Sequence, residues 1–337
     1  MPVQGEAQTT KGAQGKWGAV GWGLWVPFVL ILGWRFVLGR QFQVDEFQNL
    51  TNISYLAALR TESWATTAAP WQIWLGVLLR PWDDTASMAL TVRVFFGVIL
   101  AVNLLLITWA QPYFRSARGI LAVLWIATLT DIFWRYGFEI RHDVLLLTGQ
   151  LVLFGLSYRV LGGRRPFAYF VLAGWIGGLM VSFTAKGALH AVLYLSLLLL
   201  AVNPQQLRKP WRGRLVPFVG ILAGLAVATV LVAVTLWTAG ALDQYLAWFS
   251  NPSALLGDRK TFTALKWLHR PPPLTILFSF VGMYFGLRDL VAHRGQELTR
   301  SILTSLFVLV AMAVLACNPT PFPYNFLLLV APLLLAA

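Results

Sequence analysis

Apolar runs of about 16–24 residues recur along the chain, at about 18–39, 86–109, 118–134, 143–160, 167–183, 187–202, 215–238, 273–288, 301–316 and 322–337. Each comes close to the roughly 20 apolar residues that a helix needs to cross a bilayer. The pattern predicts an all-α, polytopic transmembrane helical protein of about ten spans. A membrane β-barrel would alternate polar and apolar residues over strands of about ten, which these runs do not do. The third and fourth runs flank a polar turn, Asp131 to His142, and the fifth and sixth are separated only by Thr184-Ala185-Lys186. Residues 1–16 read as a disordered cytoplasmic tail and residues 17–337 as a single transmembrane domain. The first run is too long for a cleavable signal peptide, and no small-residue cleavage site follows it before Gln41–Glu46.

Composition agrees with this pattern. The 337 residues are 58% hydrophobic and 12% charged, with a mean hydropathy of +0.68. Soluble domains carry about twice that charge. The single cysteine, Cys317, excludes a disulfide framework. A net charge of +13 raises the question of nucleic acid, and the placement of the charges answers it.

With the N-terminus taken as cytoplasmic, fourteen cations and three acids fall on the inner side. Ten cations and ten acids fall on the outer side, leaving Arg35 and Arg93 within runs. The basic inner loops Arg159–Arg165 and Arg208–Arg214 fit the positive-inside rule. Both termini are then cytoplasmic in an inner or plasma membrane, and nucleic acid is not needed to explain the basicity. The two long loops, about 40–85 and 239–272, both lie outside, and the first is expected to hold juxtamembrane helices. Sixteen tryptophans, including Trp17, Trp22, Trp64, Trp71, Trp82, Trp134, Trp248 and Trp267 near run ends, read as an interfacial belt. Glycines such as those in Gly174-Trp175-Ile176-Gly177-Gly178 read as close helix packing.

Candidate chemistry collects on the outer side. Asp45 and Glu46 follow the first run directly. Adjacent carboxylates repel unless a cation, a metal or a hydroxyl donor relieves them. Asp45 reads either as a general base over an acceptor hydroxyl or as the N-cap of a juxtamembrane helix with Glu46 in its first turn. Arg141 and Asp143, two residues apart, do not share a helix face and so are not expected to pair locally. Each could still be an ordinary span-end charge. Lys186 reads as a phosphate partner or as a snorkelling turn residue. Asp131 and Glu139 each lie four residues from Arg135 and are expected to pair with it. In the second outer loop, Arg259, Lys260, Lys266, His269 and Arg270 interleave with Phe262, Leu265, Trp267 and Leu268. That segment suits either a lipid phosphate or anionic headgroups. His142 and His269 stand apart from any spaced ligand cluster. Asn49-Leu50-Thr51 and Asn52-Ile53-Ser54 match the N-glycosylation pattern beside the acidic pair. Nucleotide-binding loops, nucleophile elbows and zinc-protease helices do not occur.

Taken together, these motifs resemble the membrane GT-C glycosyltransferases, the group of glycosyltransferase family 39, protein mannosyltransferases and aminoarabinose transferases. Val44-Asp45-Glu46-Phe47-Gln48-Asn49-Leu50 is similar to the family's first-loop acidic motif. Ala69-Pro70-Trp71-Gln72-Ile73-Trp74-Leu75 stands in place of its Pro-Pro-Leu-Tyr stretch, and Thr91-Val92-Arg93-Val94 in place of its Ala-Arg-Leu-Pro. Phe138-Glu139-Ile140-Arg141-His142-Asp143-Val144-Leu145 resembles Glu-Ile-Arg-Pro-Asp-Val, and Ser182-Phe183-Thr184-Ala185-Lys186-Gly187 resembles its Thr-Lys-Gly turn. Pro323-Tyr324-Asn325-Phe326 to Pro332 is a looser match to a Tyr-Leu-Leu-Pro segment. The likeness covers residues 18–202 well and 318–337 loosely. It departs at Ala68-Ala69, where the family has a basic residue or His, at Trp71, and at His142, where it often has Pro.

The resemblance implies transfer of a hexose or pentose from a polyprenyl-phosphate donor to a hydroxyl of a lipid, glycan or protein acceptor, with inversion. A phosphate leaving group needs no general acid, only a base for the nucleophile and cations for the developing charge. Asp45 is then the base, Glu46 positions the acceptor or shares a divalent metal with it, and Asp143 is a second catalytic carboxylate. Arg141 and Lys186 lead the substrate-binding set, with His142, Arg259, Lys260, His269, Arg270 and Tyr324. The resemblance implies no cofactor other than, as one alternative, that divalent metal. The alternatives are a transporter or flippase of a lipid-linked or anionic substrate, and a non-catalytic membrane assembly partner.

Overall fold

The computed structural model describes residues 21–39, 41, 44–57, 69–81, 84–110, 136–161, 166–201 and 211–249, and isolated positions between and beyond them. Among these residues every regular element is helical. The helices are α1 (Gly21–Gly33), α2 (Val44–Ala57), α3 (Pro70–Leu78), α4 (Thr85–Ala110), α5 (His142–Leu161), α6 (Phe167–Phe183), α7 (Ala185–Leu200), α8 (Trp211–Thr238) and α9 (Leu242–Phe249). They match the first, second and fourth to seventh apolar runs. Residues 120, 121, 124, 125, 128 and 134 of the third run are helical too. Residues 1–16 and most of the last three runs lie outside the described residues.

Among the described residues, three helices are long and apolar enough to cross a membrane, Thr85–Ala110, His142–Leu161 and Leu215–Thr238. Gly21–Gly33, Phe167–Phe183 and Gly187–Leu199 are shorter apolar helices. α1 continues into a π-helical turn, Trp34–Leu38, closed by the Gly39 N–H donating to the Trp34 carbonyl at 3.3 Å. α2 and α3 are helices that fall within the first long loop, where helices were expected.

α5 is the hub. It packs on α4, α6 and α7 and is largely enclosed, which accounts for an apolar sequence with no polar face. Its polar side chains are paired with neighbouring helices. Asn103 of α4 donates to the Val144 carbonyl at 3.3 Å and accepts from the Thr148 hydroxyl at 2.8 Å. Gln150 meets His190 of α7 at 2.8 Å, Nε2 to Nδ1. By contrast α4 and α8 leave Val94, Phe95, Val98, Leu105, Phe218, Leu222, Val230 and Val234 exposed, as a lipid-facing surface would.

α6 and α8 make the most extensive helix pair, and glycine is the reason. A Cβ on Gly174 would run into the Ile221 carbonyl oxygen, and one on Gly224 into the Val171 carbonyl oxygen and the Trp175 nitrogen. At Gly178 and Gly220 it would meet the Cβ atoms of Ala228 and Phe170, at 2.5 and 2.6 Å. Gly174 and Gly224 thus lie at backbone contact, with Gly178 packed on Ala228 and Gly220 on Phe170 to either side. Gly224→Leu is expected to push α8 off α6 and to cost at least about 1–3 kcal/mol, because backbone cannot yield as a side-chain tip can. A melting midpoint of the detergent-solubilised variant equal to wild type would contradict this packing.

Two tryptophans depart from the expected interfacial belt. Trp71 is buried, its ring edge-on to Phe96 at 5.9 Å, and Trp134 is buried with its indole N–H donating to the Thr128 carbonyl. They belong to the packed interior, because α3 is wedged onto the bundle instead of floating in the interface. Among the described residues the exposed tryptophan rings are Trp34, Trp109 and Trp237.

Asp84 caps α4. Its carboxylate accepts from the Ser87 N–H and hydroxyl at 2.8 and 2.7 Å and from the Ala86 N–H at 3.2 Å. The Ser87 hydroxyl, then the two N–H groups, hold its pKa below the usual 3.8. A lowered carboxylate pKa stabilises the fold above the ordinary value, and the benefit fades as pH falls through the lowered one. Asp84→Ala is therefore expected to melt below wild type at neutral pH, with the gap closing once both proteins are taken below the folded-state value.

Candidate functional site

The site is built where α2, α4 and the start of α5 meet. Glu46 lies in the first turn of α2 with 0% exposure, an untenable place for a lone carboxylate. Arg93 resolves it. This side chain, 2% exposed on α4, donates from Nη2 to Glu46 Oε2 at 3.0 Å and to the Gln41 carbonyl at 3.3 Å. Its guanidinium also stands 5.9 Å from the centroid of Phe138. The other Glu46 oxygen faces the Ile140 N–H at 3.5 Å.

One turn along α2, Asn49 completes the join. Its amide donates to the Ile140 carbonyl at 2.7 Å and accepts from Gln72 Nε2 at 2.8 Å. Gln72 in turn accepts from the Ala69 N–H at 3.1 Å and so closes the start of α3. Both backbone groups of Ile140 are thereby engaged by α2 side chains, which a buried turn outside a helix requires. Asn49 is committed to this network and is not available as a glycosylation acceptor. Trp74 carries the network onward by donating to the Thr235 hydroxyl of α8 at 3.0 Å.

Residues 139–143 bring the second set of charges. Arg141 Nη1 stands 3.8 Å from Glu139 Oε2, and Arg141 Nε stands 3.6 Å from Asp143 Oδ2. His142 Nε2 is 3.5 Å from the same Asp143 oxygen. These separations are those of ion pairs, longer than good hydrogen bonds. Asp143 is buried in the first turn of α5, where the helix dipole favours a carboxylate.

Two expectations are corrected here. Arg141 and Asp143 do pair locally, because Arg141 sits in a bend before α5 and the helix-face rule does not apply to it. Glu139 stands near Arg141, and its expected partner Arg135 lies outside the described residues. The helix α2 also begins at Val44, which makes Asp45 its second residue, inside the first turn, and not its cap.

Glu46 does not fit the metal suggested for it. One of its oxygens is held by a guanidinium and the other faces a backbone N–H. Among the described residues, no three His, Cys, Asp or Glu side chains gather into a metal-binding group. The side chains of Asp45 and Lys186 lie outside the described residues, although both residues belong to first turns, of α2 and α7. Arg259, Lys260, His269, Arg270 and Tyr324 lie outside them altogether.

The turn that carries Lys186 is tied to the same end of the bundle. The Tyr245 hydroxyl of α9 donates to the Ser182 carbonyl at 3.2 Å, and Trp74 of α3 meets Phe183 edge-on at 6.2 Å. Burial pushes the Tyr245 phenol well above its ordinary pKa, so it remains a donor at any working pH.

Sequence reading passed over Arg93, Asn49 and Gln72 as site residues. The usable signal for Arg93 was its position inside a span, where a cation demands an acidic partner. No protein-family model matches the chain, and neither a curated protein nor a solved structure matches it.

Proposed function

We propose that this protein is a membrane glycosyltransferase of the GT-C kind. It takes a sugar from a polyprenyl phosphate and places it on an acceptor hydroxyl at the non-cytoplasmic face. The observation that carries the reading is the gathering of Glu46, Arg93, Glu139, Arg141, His142 and Asp143 at one end of an apolar helical bundle. A lipid-borne phosphate sugar presents its reacting bond at that depth, next to the headgroups.

In this reading Asp45 takes the acceptor proton in a single inverting displacement. Glu46 does not meet substrate and acts instead by anchoring the first turn of α2 to Arg93. Asp143 orients Arg141 and His142, and Arg141 and Lys186 meet the phosphate. The acceptor oxygen bonds to the anomeric carbon as the bond to the phosphate oxygen breaks, and the polyprenyl phosphate leaves with the electron pair. The positive-inside bias supports the outer face as the working side. A transporter or flippase gains little from Arg93 inside a span, since that charge is buried against Glu46.

The test is reconstitution of the full chain in liposomes with hexosyl and pentosyl polyprenyl phosphates and a mixed set of lipid, glycan and peptide acceptors. Release of free polyprenyl phosphate that depends on acceptor is the expected result. No release from any donor, with the protein folded, would remove the reading.

A further inference from the structure

The cations of the charged end differ sharply in what they can reach. Arg93 is sealed on Glu46 at 2% exposure. Arg141 stands between Glu139 and Asp143 and is almost as deeply buried. His142 keeps 28% of its side chain exposed while its Nε2 rests 3.5 Å from the buried Asp143 carboxylate. An anion arriving from outside the bundle therefore meets His142 before it meets either guanidinium.

The carboxylate behind the ring is what makes the arrangement work as a charge device. A protonated imidazole is attracted to Asp143, and Asp143 in turn is shared with Arg141 Nε at 3.6 Å. The carboxylate, at 2% exposure, braces the ring from the inner side without presenting its own charge to the entering anion. Imidazole is also the side chain whose charge changes near neutral pH. The other charged groups gathered on the packed elements are Glu139 and Arg141 before α5, Glu46 on α2 and Arg93 on α4. Asp45 and Lys186 start α2 and α7.

We propose that His142 is an ionisable phosphate clamp. As imidazolium, braced by Asp143, it binds the phosphate of the donor lipid, and as neutral imidazole it releases it. The inference rests on the glycosyltransferase reading for the identity of the lipid and adds a residue that proline, the resembling family's usual choice at this position, could not supply. No proton need pass to the leaving group, because the ring contributes charge alone.

The experiment measures binding, apart from catalysis. The full chain in detergent is titrated with dibutyl phosphate, a diester that stays singly charged across the range, and followed by calorimetry. Wild type is expected to bind roughly tenfold more weakly at about pH 8 than at about pH 6. His142→Gln is expected to bind weakly at both, and His142→Arg tightly at both. His142 is only partly exposed, and circular dichroism checks that all three proteins fold. A wild-type affinity that does not change with pH, or a His142→Gln protein that keeps the wild-type profile, overturns the clamp. Sugar release in liposomes reports separately on the glycosyltransferase reading, so either can fail while the other stands.

Discussion

Arg93→Met is expected to lower stability by about 3–5 kcal/mol, the cost of leaving a buried carboxylate without its partner. Glu46, at 0% exposure, cannot turn to water once the guanidinium is gone. Glu46→Gln is expected to be milder, about 1–3 kcal/mol, because an amide oxygen still accepts from Arg93 while the charge is lost. The informative protein is the double variant Glu46→Leu/Arg93→Met. Removing both charges together removes the desolvation penalty as well as the attraction, and such replacements are often neutral. Most of the single-variant loss should return, giving a coupling energy of about 0.5–3 kcal/mol or more in the cycle. Unfolding in mixed micelles of wild type, Arg93→Met, Glu46→Leu and the double variant closes the cycle. Simple additivity would mean that the 3.0 Å contact carries no energy of its own. The double variant should also be folded and yet slow in sugar transfer, since the first turn of α2 would lose its anchor. Stability and activity then part company at one pair of residues, which is the mark of a positioning role.

The spans were legible because their signal is local. An apolar run of about 20 residues needs no partner to be recognised, and α1 and α4 to α8 all lie close to the expected runs. That the first long loop would hold helices was legible in Asp45-Glu46, an acidic pair suited to a helix start. Gly174-Trp175-Ile176-Gly177-Gly178 announced close packing, though not that its partner would be Gly220 and Gly224. The candidate site was legible only in part. Its acids were visible as scarce charges crowded into the segments read as outer loops. The pairing of Glu46 with Arg93 spans 47 positions, and nothing in either neighbourhood names the other. Arg141 and Asp143 were misjudged for a different reason. Their spacing forbids contact on a helix, but the helix starts at His142, and a shift of one residue in a boundary changes which rule applies. Trp71 and Trp134 show the same limit for aromatics, because a ring near a span end suits an interface and a core equally until its neighbours are known.

Asp45→Asn is expected to lower sugar transfer by about 10²–10⁴-fold, the usual contribution of a positioned general base. The substitution is nearly isosteric, and the first turn of a helix tolerates Asn, so the loss from the dipole should be only about 0.3–1 kcal/mol. The fold of α2 is held by the next residue, Glu46, through Arg93, and by Asn49 through Ile140, none of which the change touches. The damage should therefore fall on kcat. The donor KM should hold or fall slightly, because a negative charge near the phosphate has been removed. Asp143→Asn predicts the opposite division. Asp143 braces both Arg141 and His142, so its loss should loosen the phosphate partners and raise the donor KM more than it lowers kcat. The two carboxylates are thus distinguishable by kinetics even if both variants are slow. Full turnover in Asp45→Asn would move the base elsewhere, and Asp143, buried at the start of α5, would be the next residue to examine. A kcat loss confined to Asp45→Asn would instead give the two acids different tasks. One would meet the acceptor, and the other would hold the cations that meet the donor.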